Sequence, residues 1–242
     1  MLLPTPVCYC YGSPSSADMV QPAAYDQYGR EVLIYLPYTS SASGVFKTSP
    51  LAAQASFYSN QVNIVHDSYP WAETIYDNSS LNKVSEQGSA GSVWQVAKTN
   101  GISNRTGHTL RYEYKLNIAN DVYLWTCDET NQAPKAMAVK RYYPANELFC
   151  NRYYDENAPN TTDGIHWNEE YTDKSGRIAL KRAYDGTSVL STYYVYDDFG
   201  LLRYVIPPQT AISLDGSNNS IVSATELAFF AIHISMIHGK GW

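Results

Sequence analysis

The chain has 242 residues, enough for one large domain or two small ones with a sizeable core. Hydrophobic residues make up 44% and charged residues only 17%, which argues against a disordered chain. The formal net charge of −6 gives no electrostatic reason to expect nucleic acid or an anionic membrane as partner.

Tyrosine outnumbers phenylalanine 22 to 6. A tyrosine ring can be buried while its hydroxyl stays wet, so this bias suits strands that are apolar on one side. No stretch approaches the ~20 apolar residues of a membrane span. The first residues, Met1 to Val7, have no basic region and carry Pro4 and Pro6, a poor match to a signal peptide. Cys8, Cys10, Cys127 and Cys150 lack the paired spacing of a zinc site and read as buried or incidental thiols. No cofactor or metal is expected.

The first structural signal is Tyr25-Asp26-Gln27-Tyr28-Gly29-Arg30, a turn followed by a strand over 31–36 and then Pro37. Aspartate at the first turn position can bond the backbone two residues on, and glycine three later accepts the positive φ of a bulged hairpin. Ser49-Pro50 followed by apolar and small residues to Tyr58 predicts a capped helix with proline in its first turn. A weaker copy of the first turn begins at Tyr76-Asp77 and leads to Lys83-Val84. Residues 88–107, rich in Gly, Ser, Asn and Thr, predict a long loop around one short strand. Residues 110–116 and 121–126 predict a hairpin, and 135–143 a basic strand before Pro144.

From 165 to 208 the pattern is clearest, with apolar or aromatic runs recurring about every 12 residues. Four strands are predicted, over 165–172, 177–184, 189–196 and 201–206, forming an antiparallel meander. Their connections are Asp173 to Gly176 with Arg177 following, Asp185-Gly186, and Asp197 to Gly200. Asp185-Gly186 is the dipeptide a tight two-residue hairpin prefers. Pro207-Pro208 ends the last strand because neither residue donates to a ladder. Ser223-Ala224-Thr225-Glu226 is a capping box, predicting a helix from Ala224 to about Ile232. The expected class is therefore all-β, mainly antiparallel hairpins, with one or two short helices.

At Tyr25-Asp26-Gln27-Tyr28-Gly29-Arg30, Tyr171-Thr172-Asp173-Lys174-Ser175-Gly176-Arg177 and Tyr196-Asp197-Asp198-Phe199-Gly200, the chain resembles the Tyr-Asp repeats of rearrangement-hotspot (RHS) proteins. The wider phrases at residues 28–38, 91–95 and 193–208 resemble the region preceding the repeats in large members of that family. The resemblance covers 19–230, leaving 1–18 as a non-matching segment and 231–242 as an anomalous tail. It implies a strip of β-hairpins in a long bacterial surface or secreted protein. In relatives the strip closes as a shell around a toxin or takes part in cell contact. The family's autoproteolytic and toxin residues match no position here, so the resemblance implies a scaffold and no catalysis.

An extracellular or cell-surface location follows from the resemblance alone. The codons allowed for residues 233–242 can, in a shifted frame, encode Tyr-Gln-Tyr-Asp-Ser-Arg-Lys-Arg-Leu, which has repeat character. This leads to the expectation of a frameshift-truncated remnant of a longer gene, which the neighbouring reading frame tests.

Candidate chemistry is thin. His66, His108, His166, His233 and His238 form no metal-binding or nucleophile-elbow motif, and His66-Asp67 reads as an exposed loop. A glycosidase needs two acids across a cleft, but Glu169 and Glu170 would point to opposite faces of a strand. The aromatics Trp167, Tyr194, Tyr196 and Tyr204, with Tyr171 and Tyr193, could line one sheet face and take sugar rings, or simply pack. Two readings stand. One is a structural module whose sheet edges pair with the rest of a longer protein or a second copy. The other is a glycan-binding module using exposed tyrosines and Trp71, Trp94, Trp125 or Trp167.

Overall fold

In a computed structural model, the described residues are 7–9, 13–41, 44–127, 134–135, 142–158, 166–184, 186–208 and 232–233. The chain divides into two units, Met1–Tyr112 with Tyr154–Asp163, and Glu113–Tyr153 with Gly164–Trp242. Both are built mainly of antiparallel β-sheet, and among the described residues the protein has one α-helix.

The first unit begins with β1 (Val7–Tyr9), β2 (Asp18–Gln21), β3 (Ala23–Tyr25), β4 (Glu31–Tyr35) and β5 (Tyr38–Ser40). Pro22 separates β2 from β3, and Leu36-Pro37 separates β4 from β5. Proline cannot donate to a ladder, so both strands change partner at these points. β2 pairs with β1 and β5 in a three-stranded sheet, while β3 and β4 enter a larger one. That sheet runs in the order β3-β4-β6-β7-β10, with β6 at Trp71–Tyr76, β7 at Val84–Gly88 and β10 at Leu110–Leu116.

Helix α1 (Pro50–Asn60) lies between β5 and β6. Ser49 is its N-cap residue and Pro50 opens it as the sequence predicts, although the serine side chain makes no capping hydrogen bond. The helix runs two residues beyond the predicted end at Tyr58. Its buried Gln54 donates to the carbonyls of Leu36 (2.7 Å) and Pro70 (3.0 Å), tying the end of β4 to the entry into β6. The Pro70 carbonyl also accepts the Leu36 amide (2.9 Å), so Gln54 reinforces the crossing made by the backbone.

The predicted loop over 88–107 holds two very short strands, β8 (Lys98–Thr99) and β9 (Ile102–Ser103), after a 3-10 turn at Ser92–Trp94. Two of its glycines have a packing reason. A Cβ at Gly88 would lie 2.7 Å from the Trp94 carbonyl oxygen, and one at Gly107 2.6 Å from that of Gln95.

The second unit takes residues 113–116 of β10, then β11 (Thr126–Cys127), β12 (Pro134–Lys135), β13 (Phe149–Tyr154), β14 (Trp167–Thr172), β15 (Ile178–Tyr184), β16 (Val189–Tyr196), β17 (Leu202–Ile206) and β18 (Ile232–His233). The sheet order is β10-β13-β14-β15-β16-β17-β18. The predicted four-stranded meander forms with nearly the predicted boundaries. Its core gathers Val122, Leu148, Tyr171, Leu180, Tyr193 and Ile206 on one face. Burial alternates strictly along β14, the period-two pattern of a sheet with one packed face.

Two expectations need correction. Residues 110–116 and 121–126 do not form a hairpin, because in the second unit residues 113–116 have β13 as their neighbour and Tyr123 bridges instead to Tyr142. The cause is Asn117, whose Oδ1 accepts from the amides of Glu147 (2.9 Å) and Leu148 (2.8 Å) while its Nδ2 donates to the Pro144 carbonyl (2.8 Å). These bonds capture the chain leaving β10 against 144–148 before it can turn back.

The Asp185-Gly186 connection is not a two-residue turn. Tyr184 pairs with Val189, so four residues connect the strands, and the Tyr184 hydroxyl donates to the Gly186 carbonyl across the loop. Asp185 itself lies outside the described residues, as do residues 224–231 of the helix predicted from Ala224 to about Ile232, whose last position instead begins β18, and most of the predicted strand over 135–143. In the segment read as an anomalous tail, Ile232–His233 pairs with β17. At the other end, inside the segment read as non-matching, Val7–Tyr9 pairs with β2.

Candidate functional site

The Tyr-Asp turns share one geometry. In the first, the Gly29 amide donates to the Asp26 carbonyl and the Asp26 amide to the Arg30 carbonyl. Asp26 Oδ1 accepts from the amides of Tyr28 (2.8 Å) and Arg30 (3.0 Å), and Oδ2 takes the Arg30 guanidinium at Nε (2.8 Å). Asp173 repeats every bond, through the amides of Ser175 and Arg177 and the Arg177 guanidinium. Asp197 holds the amides of Phe199 and Leu201, but its guanidinium comes from Arg203, two positions later than in the other turns.

Gly29, Gly176 and Gly200 have φ of +77°, +78° and +79°, the left-handed region where glycine carries no Cβ penalty. A register shift follows in each strand pair, at Ala24/Tyr25, Tyr171/Thr172 and Val195/Tyr196, so these are bulged hairpins as the spacing predicts. The weaker copy keeps the plan with a longer loop. The Asp77 amide donates to the Lys83 carbonyl, and Ile75/Tyr76 carries the same shift.

The aspartates are held as carboxylates. Desolvation opposes the charge, but at Asp26 and Asp173 the backbone and guanidinium bonds of Arg30 and Arg177 outweigh it and lower the carboxyl pKa. At Asp197 the Leu201 amide and Arg203 do the same against desolvation.

Within each unit the arginine of one turn reaches the tyrosine that opens the next. Arg30 lies 4.4 Å from the centroid of the Tyr76 ring and donates to Asn82 Oδ1 (3.0 Å). Arg177 lies 5.2 Å from the Tyr196 ring, and the Tyr196 hydroxyl donates to the Ile178 carbonyl (3.0 Å). The tyrosine of the Tyr-Asp pair is therefore the receptor for a guanidinium from the preceding hairpin, a cation–π contact. Sequence spacing locates these turns but not this contact, which exists only once neighbouring hairpins are side by side.

The aromatics expected to share a face divide between two. Trp167 and Tyr204 are each only 8% exposed and belong to the packed side with Tyr171 and Tyr193, so neither can receive a glycan there. Their burial follows from register, since Tyr204 pairs with the buried Val195, and Trp167 stacks on Tyr184 at 5.7 Å. Tyr194 and Tyr196 alternate with Tyr193 and Val195 and stay half-buried. With Trp125, Tyr143, Arg177 and Asp198 they line a cavity of about 460 Å³ in the second unit. Trp94 is exposed, while Trp71 and Trp125 are half-buried.

A polar cluster not foreseen from sequence fills the packed side of β14 and β15. The Tyr171 hydroxyl bonds Asp121 Oδ2 (2.9 Å) and Glu169 Oε2 (3.1 Å), Arg182 binds Asp121 Oδ1 (2.7 Å), and Arg152 donates to Glu169 Oε1 (2.7 Å). Burial, then Glu169, pushes the Cys150 thiol up to about 11. Burial also pushes the Tyr171 phenol up, while Asp121 raises Arg182 against its desolvation. The signal was present in the strand, where Glu169 holds an inward position between Trp167 and Tyr171. A buried carboxylate needs a cation, and Arg182 stands opposite it across the ladder.

The first unit has a counterpart. Fully buried Arg111 donates to the carbonyls of Arg105 and Ala158 (the latter 2.6 Å), and Thr109 donates to Glu86 Oε1 (2.6 Å). Arg111 Nε, also buried, has no hydrogen-bond partner among the described residues. His66 is exposed and contacts the Gln61 carbonyl, as its loop position predicts, while Asp67 accepts from Tyr69 and Ser92. Glu169 and Glu170 do lie on opposite faces, one buried and the other paired with Lys181 at 3.0 Å. Among the described residues no group of three or more His, Cys, Asp or Glu could hold a metal ion. No helix among them is long and apolar enough to cross a membrane.

A family model described as "Domain of unknown function (DUF6443)" matches residues 8–109, less than half of the chain. No curated protein and no solved structure matches the chain.

Proposed function

We propose that the chain is a non-catalytic scaffold segment of a bacterial surface or secreted protein of the RHS, Tyr-Asp repeat type, forming part of a cell-contact or toxin-enclosing shell. The observation that carries this reading is the repeated turn, in which aspartate, glycine, arginine and the next turn's tyrosine all serve to hold hairpins side by side. Its partners on this reading are the rest of a longer protein or a second copy, met through sheet edges. The buried ion pairs fit the same role, since their members bond one another.

A carbohydrate-binding role is the second reading, favoured by the cavity bearing Tyr194, Tyr196 and Trp125. Half-exposed rings beside polar groups suit sugar faces and hydroxyls. One experiment separates the two. Melting of the purified chain is followed with a panel of mono- and oligosaccharides. A scaffold melts at the same temperature throughout, whereas saturable stabilisation by one sugar, abolished by Tyr194→Ala, replaces the scaffold reading with the second.

A further inference from the structure

The polar cluster of β14 and β15 forms a wall of another cavity of the second unit, about 600 Å³ in volume. That is within the size range of small-ligand sites. Neither Tyr194 nor Trp125 lines it. Each carboxylate oxygen in it already meets a donor: Arg182 at Asp121 Oδ1, the Tyr171 hydroxyl at Asp121 Oδ2 and Glu169 Oε2, and Arg152 at Glu169 Oε1. The donors are not used up in the same way. Arg182 bonds Asp121 and Tyr171 through Nη1 and the Asp121 carbonyl through Nη2, which among the described residues leaves its Nε–H and a second Nη2–H. Ser191, only 4% exposed, lines the cavity directly opposite Arg182 in the ladder, and its hydroxyl makes no hydrogen bond among the described residues.

We propose that this cavity binds a small organic anion, a carboxylate on a short apolar body, with its oxygens taken by Ser191 and Arg182. Donors left over where every acceptor is engaged call for an acceptor-rich ligand. The charge agrees, since Lys115, Arg152 and Arg182 line the cavity against Asp121 and Glu169. A single negative charge matches that surplus, whereas a doubly charged phosphate would exceed it beside two carboxylates. Side chains directly opposite in a ladder stand about 5 Å apart at Cβ, a spacing that lets both reach one carboxylate. The apolar body has a place as well, because the exposed Leu116, Ile118 and Val189 belong to the same lining. The site goes beyond the scaffold reading and does not depend on it.

The test is titration calorimetry of the full chain with hexanoate, its neutral amide hexanamide, and inorganic phosphate. Hexanoate should bind saturably at low millimolar concentration, the affinity open to a ligand of about eight non-hydrogen atoms. Hexanamide and phosphate should each bind at least about tenfold more weakly. Ser191→Ala should weaken hexanoate about tenfold, the loss of one hydrogen bond to a charged group. At the exposed Val189 the sign of a new charge is decisive: Val189→Asp should weaken binding severalfold, and Val189→Lys should not. The melting temperature of each variant without ligand confirms that it folds. Absence of saturation at tens of millimolar hexanoate overturns the proposal. Equal binding of hexanamide overturns the anion, and equal or tighter binding of phosphate overturns the carboxylate. Indifference to Ser191→Ala, or the same response to Val189→Asp and Val189→Lys, overturns the location. The saccharide melts read the cavity bearing Tyr194, so the scaffold reading is judged separately.

Discussion

Asp26, Asp173 and Asp197 each organise a turn by accepting two backbone amides and a guanidinium, and each has its carboxyl pKa lowered in the folded chain. A carboxyl that titrates lower when folded stabilises above its unfolded value of about 4, and the contribution disappears as pH falls through the lowered folded value. Melting temperature should therefore hold between neutral pH and about pH 5, then decline below about pH 4. Asp26→Asn, Asp173→Asn and Asp197→Asn combined should reduce that acid slope in scanning calorimetry; an unchanged slope would assign it to other groups. The glycines offer a second comparison. Gly176→Ala has open space for its Cβ and should cost about 1–2 kcal/mol, the left-handed penalty alone. Gly200→Ala should cost more, because its Cβ would lie 3.2 Å from the Arg177 guanidinium. Removing that arginine with Arg177→Ala should abolish the extra cost, which a double-mutant cycle in urea would measure.

At the scale of elements, the buried faces of β14 and β15 carry charges that an apolar core would not need. Arg182 neutralises Asp121 and lies 3.8 Å from Glu169, so Arg182→Met should destabilise the fold by about 3–5 kcal/mol, the usual cost of leaving a buried charge unpaired. Chemical denaturation checks this, and a loss below about 1 kcal/mol would mean that the carboxylates rehydrate. Cys150 lies in the same core with its thiol pushed up to about 11, chiefly by burial. It should resist iodoacetamide at pH 8 in the native protein and react once unfolded, as peptide mass spectrometry would show. The meander strands were legible because both alternation and turn chemistry lie within a few residues of each other. The supposed partnership of 110–116 with 121–126 was not, because Asn117 bonds residues some thirty positions away. Two strong strand signals placed close together do not determine that they pair.

For the whole molecule, the low net charge governs how readily copies approach one another. The net charge of −6 and a pI near 5.3 mean that electrostatic repulsion between copies vanishes in mildly acidic solution. Association should therefore be greatest near pH 5.3 and weaker at pH 8, as light scattering at fixed protein concentration would show. Association that grows steadily away from the pI would point to a specific ion pair instead of the loss of charge repulsion. The comparison with known families reaches only residues 8–109, whereas the turn geometry recurs well beyond them, at Asp173 and Asp197.

By itself the sequence determined the all-β class, the place and type of three bulged turns, and the meander from Trp167 to Ile206. These depend on local rules: the φ that only glycine adopts freely, the reach of an aspartate side chain, and the two-residue period of a strand. Tertiary structure decided which tyrosines are usable. Register buries Tyr204 beside Ile206 and leaves Tyr194 half-exposed, and a shift of one residue would exchange their faces. It also decided what the Tyr-Asp tyrosine is for, since Arg30 and Tyr76 are separated by 46 residues and meet only when β4 pairs with β6. Local chemistry writes each hairpin, and packing of one hairpin on the next assigns the partners.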